Sequence, residues 1–226
     1  MYSESLTRNI IYLGGCFMKN RPRDKKAGVI LLAAIIIISL AEIIFRATAM
    51  GLEAVLTTAN FGEQLAVIAL AVTILVLNAK DKDRACYILY GAWIACFVFD
   101  QIFELPGVVF GIINQMAQPE TIPVAIVIGA IVRVLSMVGI IAIGGLLVEY
   151  MSDGTICNKA FNSLCIATVL LLVATIAFSI YGAVVVMPNF ALDTFNCLYR
   201  LAMVFLCTFF AYDSAKAQLK KTNLSK

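Results

Sequence analysis

Residues 27–45 read AGVILLAAIIIISLAEIIF, a stretch of nineteen residues whose only polar side chains are Ser39 and Glu42. At 1.5 Å per residue a helix of this length covers about 28 Å, close to the roughly 30 Å hydrocarbon thickness of a bilayer. Backbone groups cannot remain unpaired in hydrocarbon, so a segment of this kind crosses it as a helix. The stretch therefore predicts a transmembrane helix.

Five more apolar stretches follow it along the 226 residues. The six predicted spans are Ala27–Phe45, Gln64–Ala79, Ala85–Leu105, Ile122–Val148, Ala160–Met187 and Phe190–Tyr212. The second span is short, and we expect it to begin earlier, between Leu56 and Phe61. With 62% hydrophobic and 14% charged residues, the composition also departs from the roughly half and one quarter of soluble domains. We predict an all-α, polytopic integral membrane protein, a six-transmembrane-helix bundle.

The distribution of lysine and arginine predicts the orientation of this bundle. Residues 1–26 carry six basic residues, the loop over residues 80–84 carries three, the loop before the fifth span has Lys159, and residues 213–226 carry four. The loops on the other side contain only Arg46. Because basic loops stay in the cytoplasm, both termini are expected there. The chain then divides into a basic segment (1–26), a transmembrane domain (27–212) and a basic tail (213–226), in what we expect to be a prokaryotic inner membrane.

The amino-terminal segment allows two interpretations. We expect residues 9–18 to form a short interfacial helix, with the basic residues after it attracted to anionic lipid. Alternatively, Leu13-Gly14-Gly15-Cys16 resembles the site at which bacterial lipoprotein precursors are cleaved. The apolar stretch before the cysteine is shorter than a signal-peptide core, and cleavage would place the basic run outside, so the first interpretation is favoured.

Absent residue types and motifs exclude many function classes. The chain has no histidine, which removes imidazole-based haem, zinc and catalytic-triad chemistry. Its seven cysteines include no Cys-x-x-Cys pair, and neither a P-loop nor a Gly-x-Ser-x-Gly motif occurs. No predicted span contains a lysine for a retinal Schiff base. We therefore predict no cofactor, no metal and no nucleic-acid partner, and we consider an enzyme the weakest of three functional classes.

Proline and small residues give two local expectations. Pro106-Gly107 should end the third span after Leu105 and leave Val108–Met116 as a separate interfacial or re-entrant piece. Small side chains along one face of a helix let a neighbouring backbone approach closely. Such faces are predicted on the fifth span (Thr175, Ser179, Ala183) and on the fourth (Ala125, Gly129, Gly139, Gly144, Gly145).

Six charged residues fall within or beside the outer halves of the predicted spans. A charge there costs about 2.5 to 3.5 kcal/mol on insertion scales and must be paired, hydrated or near the surface. The helical rise places both arginines near the midplane and Asp100 about 8 Å below the outer end of its span, with Glu104 one turn above it. We therefore predict an outward-facing charged pocket formed by Glu42, Asp100, Glu104, Arg133, Asp193 and Arg200.

Two explanations fit this group of charges. In the structural one, Asp100 or Glu104 pairs with Arg133 or Arg200 to fix helix order, while Glu42 and Asp193 reach the lipid headgroups. In the functional one, the arginines attract an anionic ligand and Asp100 serves as a counter-ion or proton acceptor.

The function classes follow from these explanations. We expect a small transporter or ligand-sensing protein that uses the outward-facing pocket. A scaffold or accessory subunit of a membrane complex is the alternative, and an intramembrane enzyme built on Asp100 and Glu104 is the third. The expected partners are the lipid bilayer, a small anionic ligand, and another membrane protein or a second copy of the chain.

Overall fold

The computed structural model describes residues 25–51, 55–56, 59–117, 123–153, 159–185 and 190–224, so the interfacial helix predicted over residues 9–18 lies outside it. The described residues form six long helices and no strand. The helices are α1 (Lys25–Met50), α2 (Ala59–Ala79), α3 (Asp83–Met116), α4 (Val124–Asp153), α5 (Lys159–Val185) and α6 (Phe190–Leu224). Each contains a segment long and apolar enough to cross a membrane. The prediction of an all-α chain with six such helices is confirmed.

Helices α2 and α6 are longer than the predicted spans Gln64–Ala79 and Phe190–Tyr212. Helix α2 begins at Ala59, within the interval expected for its start. Helix α6 continues past Tyr212 to Leu224, so most of the basic tail is helical. Residues 213–224 contain no glycine or proline and are rich in alanine, lysine and leucine, which favour helix.

Pro106 lies inside α3, so the predicted break after Leu105 is wrong. A proline removes one backbone donor and crowds the carbonyl four residues earlier. Membrane helices tolerate this loss, since neighbouring helices and small local adjustments satisfy the freed carbonyl. Residues 108–116 are therefore the last turns of α3 and not a separate piece. This continuation places the charged residues of α3 deeper in the bundle than a helix ending at residue 105 would.

The helices form a bundle in which α6 occupies the most enclosed position. Consecutive helices pack against each other, and α6 also contacts α1, α3 and α4. Half of its span Leu192–Asp213 is buried, the largest share of the six. The core around it contains Leu32, Tyr90, Met203 and Leu206. Large apolar side chains such as Phe103, which is 80% exposed, cover the outer surface, as expected where lipid surrounds a bundle.

Glycines on α4 bring its backbone close to both neighbouring helices. A Cβ atom added at Gly129 would lie 2.7 Å from Phe178 of α5, and one added at Gly139 would lie 2.3 Å from the Thr168 hydroxyl of the same helix. On the other side, a Cβ atom at Gly144 would lie 2.6 Å from a methyl group of Val98 on α3. Three of the small residues predicted on the fourth span therefore sit at close helix contacts.

Gly144 and Gly145 form a matched pair for testing this packing. Alanine at Gly144 should lower stability by about 1 to 3 kcal/mol, because the added methyl group overpacks against Val98, which is stiff in a helix. Alanine at Gly145 meets nothing within 4 Å and should be neutral or stabilise by up to about 1 kcal/mol through helix propensity. Unfolding in mixed micelles, followed by circular dichroism, measures both. Equal stabilities for the two variants would contradict the packing described here.

Candidate functional site

Four charged side chains form a continuous series between α3, α4 and α6. Nη2 of Arg133 donates to Oε1 of Glu104 at 2.8 Å, and its Nη1 donates to Oδ1 of Asp193 at 3.0 Å. Nη2 of Arg200 donates to the other oxygen of Glu104, Oε2. We call the series Arg200, Glu104, Arg133 and Asp193 the ion-pair chain. It begins and ends on α6 and ties that helix to both α3 and α4.

The length of α3 explains why Glu104 is the central carboxylate. Glu104 lies twelve residues before the end of α3 at Met116, a depth of about 18 Å at the helical rise. Arg133 lies about 14 Å along α4 from its start, and Arg200 about 15 Å along α6. Asp100 is one turn deeper, at about 24 Å. Because α3 continues through Pro106, Glu104 and not Asp100 lies nearest the level of the guanidinium groups.

The two ends of the ion-pair chain differ in exposure. The Arg200 side chain is 5% exposed and that of Arg133 is 20% exposed, whereas Glu104 and Asp193 are about one-third exposed. Asp193 lies in the first turn of α6, at the end of the bundle where α3 and α5 finish and α4 starts. We call this the charged end. The series therefore leads from a buried cation to a carboxylate near the surface of the bundle.

Asp100 does not join the arginines. Its Oδ2 accepts a bond of 3.0 Å from the amide nitrogen of Gln101, and the Asp100 side chain is exposed. Among the described residues, the ion pairs of Arg133 and Arg200 involve only Glu104 and Asp193. Glu104, and not Asp100, therefore forms the ion pairs that α3 makes with both arginines.

Glu42 belongs to a separate cluster between α1 and α2. Its Oε1 accepts two bonds from Arg46, at 2.9 Å from Nε and 2.6 Å from Nη2, and its Oε2 accepts one from Gln64 at 2.9 Å. Glu42 is only 1% exposed, which differs from the expectation that it reaches the headgroups. The sequence predicts Gln64 only as the first residue of a span. A polar residue at the end of an apolar stretch is nevertheless the signal that indicates a hydrogen-bond partner for Glu42. The six predicted charges thus form no single pocket.

A cavity of about 220 Å³ opens beside the ion-pair chain. Arg133 and Asp193 form its charged wall, and the hydroxyl-bearing residues Thr175 and Ser179 of α5 also line it. Apolar side chains from α3, α4 and α5 complete the lining, namely Val108, Ile112, Ile126 and Phe178. The cavity therefore combines a pair of opposite charges with apolar walls, the composition usual for small-molecule sites.

Thr175 and Ser179 were predicted only as part of a small-residue packing face. The structure places both at the cavity, buried, one turn apart on α5. The signal available in the sequence was that the small residues at these positions are hydroxylic, whereas packing alone is served equally well by alanine or glycine. The cavity itself could not be predicted, because it depends on how α3, α4, α5 and α6 meet.

Two guanidinium nitrogens in the ion-pair chain have no acceptor among the described residues. These are Nε of Arg133 and Nη1 of Arg200, and both atoms are buried. A buried donor without a partner costs about 1 to 3 kcal/mol, and more when it is charged. Both atoms are shielded from solvent, so this penalty is part of the cost of forming the ion-pair chain.

Comparisons of the chain with protein-family models, with curated proteins and with solved structures found no match.

Proposed function

We propose that this chain is a small transporter or ligand-sensing protein of a cell membrane, and that it binds a small solute with an anionic group in the cavity beside Arg133. One observation carries the proposal: an ion pair within the apolar span region borders a cavity instead of being packed on all sides. Ionisable side chains at membrane depth are functional candidates by default, and a cavity with a few convergent polar groups is the usual ligand site.

The volume of the cavity and the arginine in its lining support a small ligand with an anionic group. Pockets that enclose drug-sized molecules are about 300 to 1,000 Å³, so a cavity of 220 Å³ suits a smaller solute. The Arg133 side chain is 20% exposed and lines the cavity, so its guanidinium provides a charged donor for a carboxylate or phosphate oxygen.

The competing structural explanation accounts for less of this arrangement. The ion-pair chain ties α3, α4 and α6 together, as that explanation requires. A purely structural tie, however, has no need of an adjacent cavity, since protein interiors are otherwise closely packed.

The distribution of basic residues supports an outward-facing cavity. The charged end contains the ends of α1, α3 and α5 and the starts of α2, α4 and α6. The bias toward basic residues at the opposite end supports an orientation in which the charged end lies outside the cytoplasm. A solute arriving from outside the cell would therefore meet Asp193 first and Arg133 next.

Filling the cavity tests the proposal. Gly111 lines the cavity and Gly107 lies one turn earlier on α3, and a Cβ atom added at either glycine meets nothing within 4 Å. Leucine at Gly111 should occupy cavity volume, whereas leucine at Gly107 provides the matched control. We expect members of a panel of small carboxylates, phosphates and amino acids to raise the melting temperature of the wild type and of Gly107→Leu, but not of Gly111→Leu.

Uptake into proteoliposomes then separates transport from sensing for each solute that binds. Transport requires flux of the solute in the wild type and its loss in Gly111→Leu, whereas sensing requires binding without flux. If no member of the panel distinguishes the wild type from Gly111→Leu, the proposed function is wrong.

A further inference from the structure

We infer that the solute bound beside Arg133 is a zwitterion, and specifically an α-amino acid with a small apolar side chain. This inference rests on the proposed function and extends it from an anionic group to a pair of opposite charges. Its basis is the charged wall of the cavity, where the guanidinium of Arg133 and the carboxylate of Asp193 lie side by side, 3.0 Å apart.

The charge balance of the site disfavours a simple anion. Both arginines are already paired, and the ion-pair chain contains two cations and two anions. A ligand with only a negative charge would add an unbalanced charge close to the carboxylates of Asp193 and Glu104. In an environment of low dielectric constant such repulsion is costly, and a buried charge requires its own partner. A zwitterion leaves the charge balance of the site unchanged.

The hydrogen-bonding groups that remain available match the two charges of a zwitterion. The Arg133 side chain is 20% exposed and lines the cavity, and each of its two terminal nitrogens uses one hydrogen for an ion pair and retains a second. Asp193 uses Oδ1 for the bond to Arg133, and no bond to its Oδ2 occurs within the described part of the chain. The ligand carboxylate can therefore accept from a terminal nitrogen of Arg133 while its ammonium group donates to Oδ2 of Asp193. Neither contact requires the existing ion pair to break.

The remaining walls define the rest of the ligand. Val108 of α3, Ile126 of α4 and Phe178 of α5 present apolar surface, which favours an apolar substituent on the ligand. Thr175 and Ser179 add hydroxyl oxygens that can accept from the ammonium group, whereas the Thr175 hydroxyl proton already bonds to the carbonyl of Leu171. The volume of about 220 Å³ limits the substituent to a small one.

Removing one charge of the ligand at a time tests the inference on the wild-type protein. Alanine, valine and leucine provide the zwitterions, their N-acetyl derivatives retain only the negative charge, and their amides retain only the positive charge. We expect at least one of the amino acids to bind about tenfold or more tightly than both of its derivatives, since each lost contact is a hydrogen bond between charged groups. Calorimetry in detergent micelles measures the three affinities.

A variant of the carboxylate tests the assignment of Asp193. Asp193→Asn removes the negative charge that attracts the ammonium group and should abolish the preference for the amino acid over its N-acetyl derivative. Glu63→Gln is the matched control, because Glu63 is an exposed carboxylate on α2 outside the cavity lining, and this variant should keep the preference. If Asp193→Asn does not fold, the comparison of ligand derivatives on the wild type decides alone.

The possible failures separate this inference from the proposed function. N-acetyl derivatives that bind as tightly as the amino acids, and bind to the wild type but not to Gly111→Leu, would overturn the zwitterion and leave the anion-binding function intact. A preference for the amino acid that persists in Asp193→Asn would overturn the assignment of the ammonium group to this carboxylate. Absence of any binding that depends on the cavity would overturn both proposals.

Discussion

Glu104→Gln is expected to destabilise the protein by about 3 to 5 kcal/mol, the range seen when one member of a buried ion pair is removed. Glu104 bonds to both Arg133 and Arg200 through different oxygens. The substitution leaves Arg200, whose side chain is 5% exposed, without any carboxylate partner among the described residues. Arg133 keeps Asp193, so most of the loss should arise at Arg200.

Asp100→Asn is the matched control for this substitution. It makes the same change of charge on α3 one turn away, but at an exposed carboxylate bonded only to Gln101 within the described residues. Its destabilising effect should be smaller than that of Glu104→Gln, because Asp100→Asn breaks no ion pair with either arginine. Mixed-micelle unfolding compares the two variants. The double variant Glu104→Gln with Arg200→Gln should recover part of the loss, and equal effects of Glu104→Gln and Asp100→Asn would refute the central position of Glu104.

Glu42→Ala is expected to destabilise the contact between α1 and α2 by about 3 kcal/mol. Glu42 is 1% exposed and accepts bonds from Arg46 on its own helix and from Gln64 on α2. Its removal leaves a charged donor and an amide donor in apolar surroundings. Arg46 lies near the end of α1 and can turn toward water, which keeps the loss below that expected for Glu104→Gln.

The control for Glu42 is Glu63→Ala, which removes an exposed carboxylate next to Gln64. We expect it to change the unfolding free energy by less than about 0.5 kcal/mol. A fluorescence-transfer pair on α1 and α2 reports whether these helices separate before the rest of the bundle in Glu42→Ala. Unchanged stability in Glu42→Ala would show that the cluster contributes nothing to the packing of α1 on α2.

The helices were predictable because hydropathy and length constrain a segment that crosses a bilayer. Even the short second span was assigned an earlier start, which the structure places at Ala59. The error at Pro106 has a physical cause, since a proline ends a helix in water but not reliably where neighbouring helices satisfy the freed carbonyl. No property of the local sequence distinguishes these two outcomes.

The identity of the charged partners was harder to predict than the presence of charges. Depth estimates brought Arg133 and Arg200 to one level, as in the structure, but the misplaced end of α3 favoured Asp100 as much as Glu104. Glu42 belongs to its own cluster because α1 packs against α2. The pattern of residues along one helix does not predict which helix packs beside it. The cavity depends on the joint arrangement of four helices and was therefore beyond sequence reasoning.

Both terminal members of the ion-pair chain lie on α6, seven residues apart, which places Asp193 and Arg200 on nearly the same side of the helix. If α3 and α4 tilt together away from α6, the bonds Arg200–Glu104 and Arg133–Asp193 break while Glu104–Arg133 survives. If α3 moves alone, Glu104 loses both guanidinium groups at once. When α3 and α4 move together away from α6, the ion pair that moves with them, Glu104–Arg133, is therefore neutral. Separation of α6 from α3 and α4 would therefore divide the four charges into two neutral pairs, Glu104 with Arg133 and Asp193 with Arg200. Neither side would then carry a net charge into the lipid.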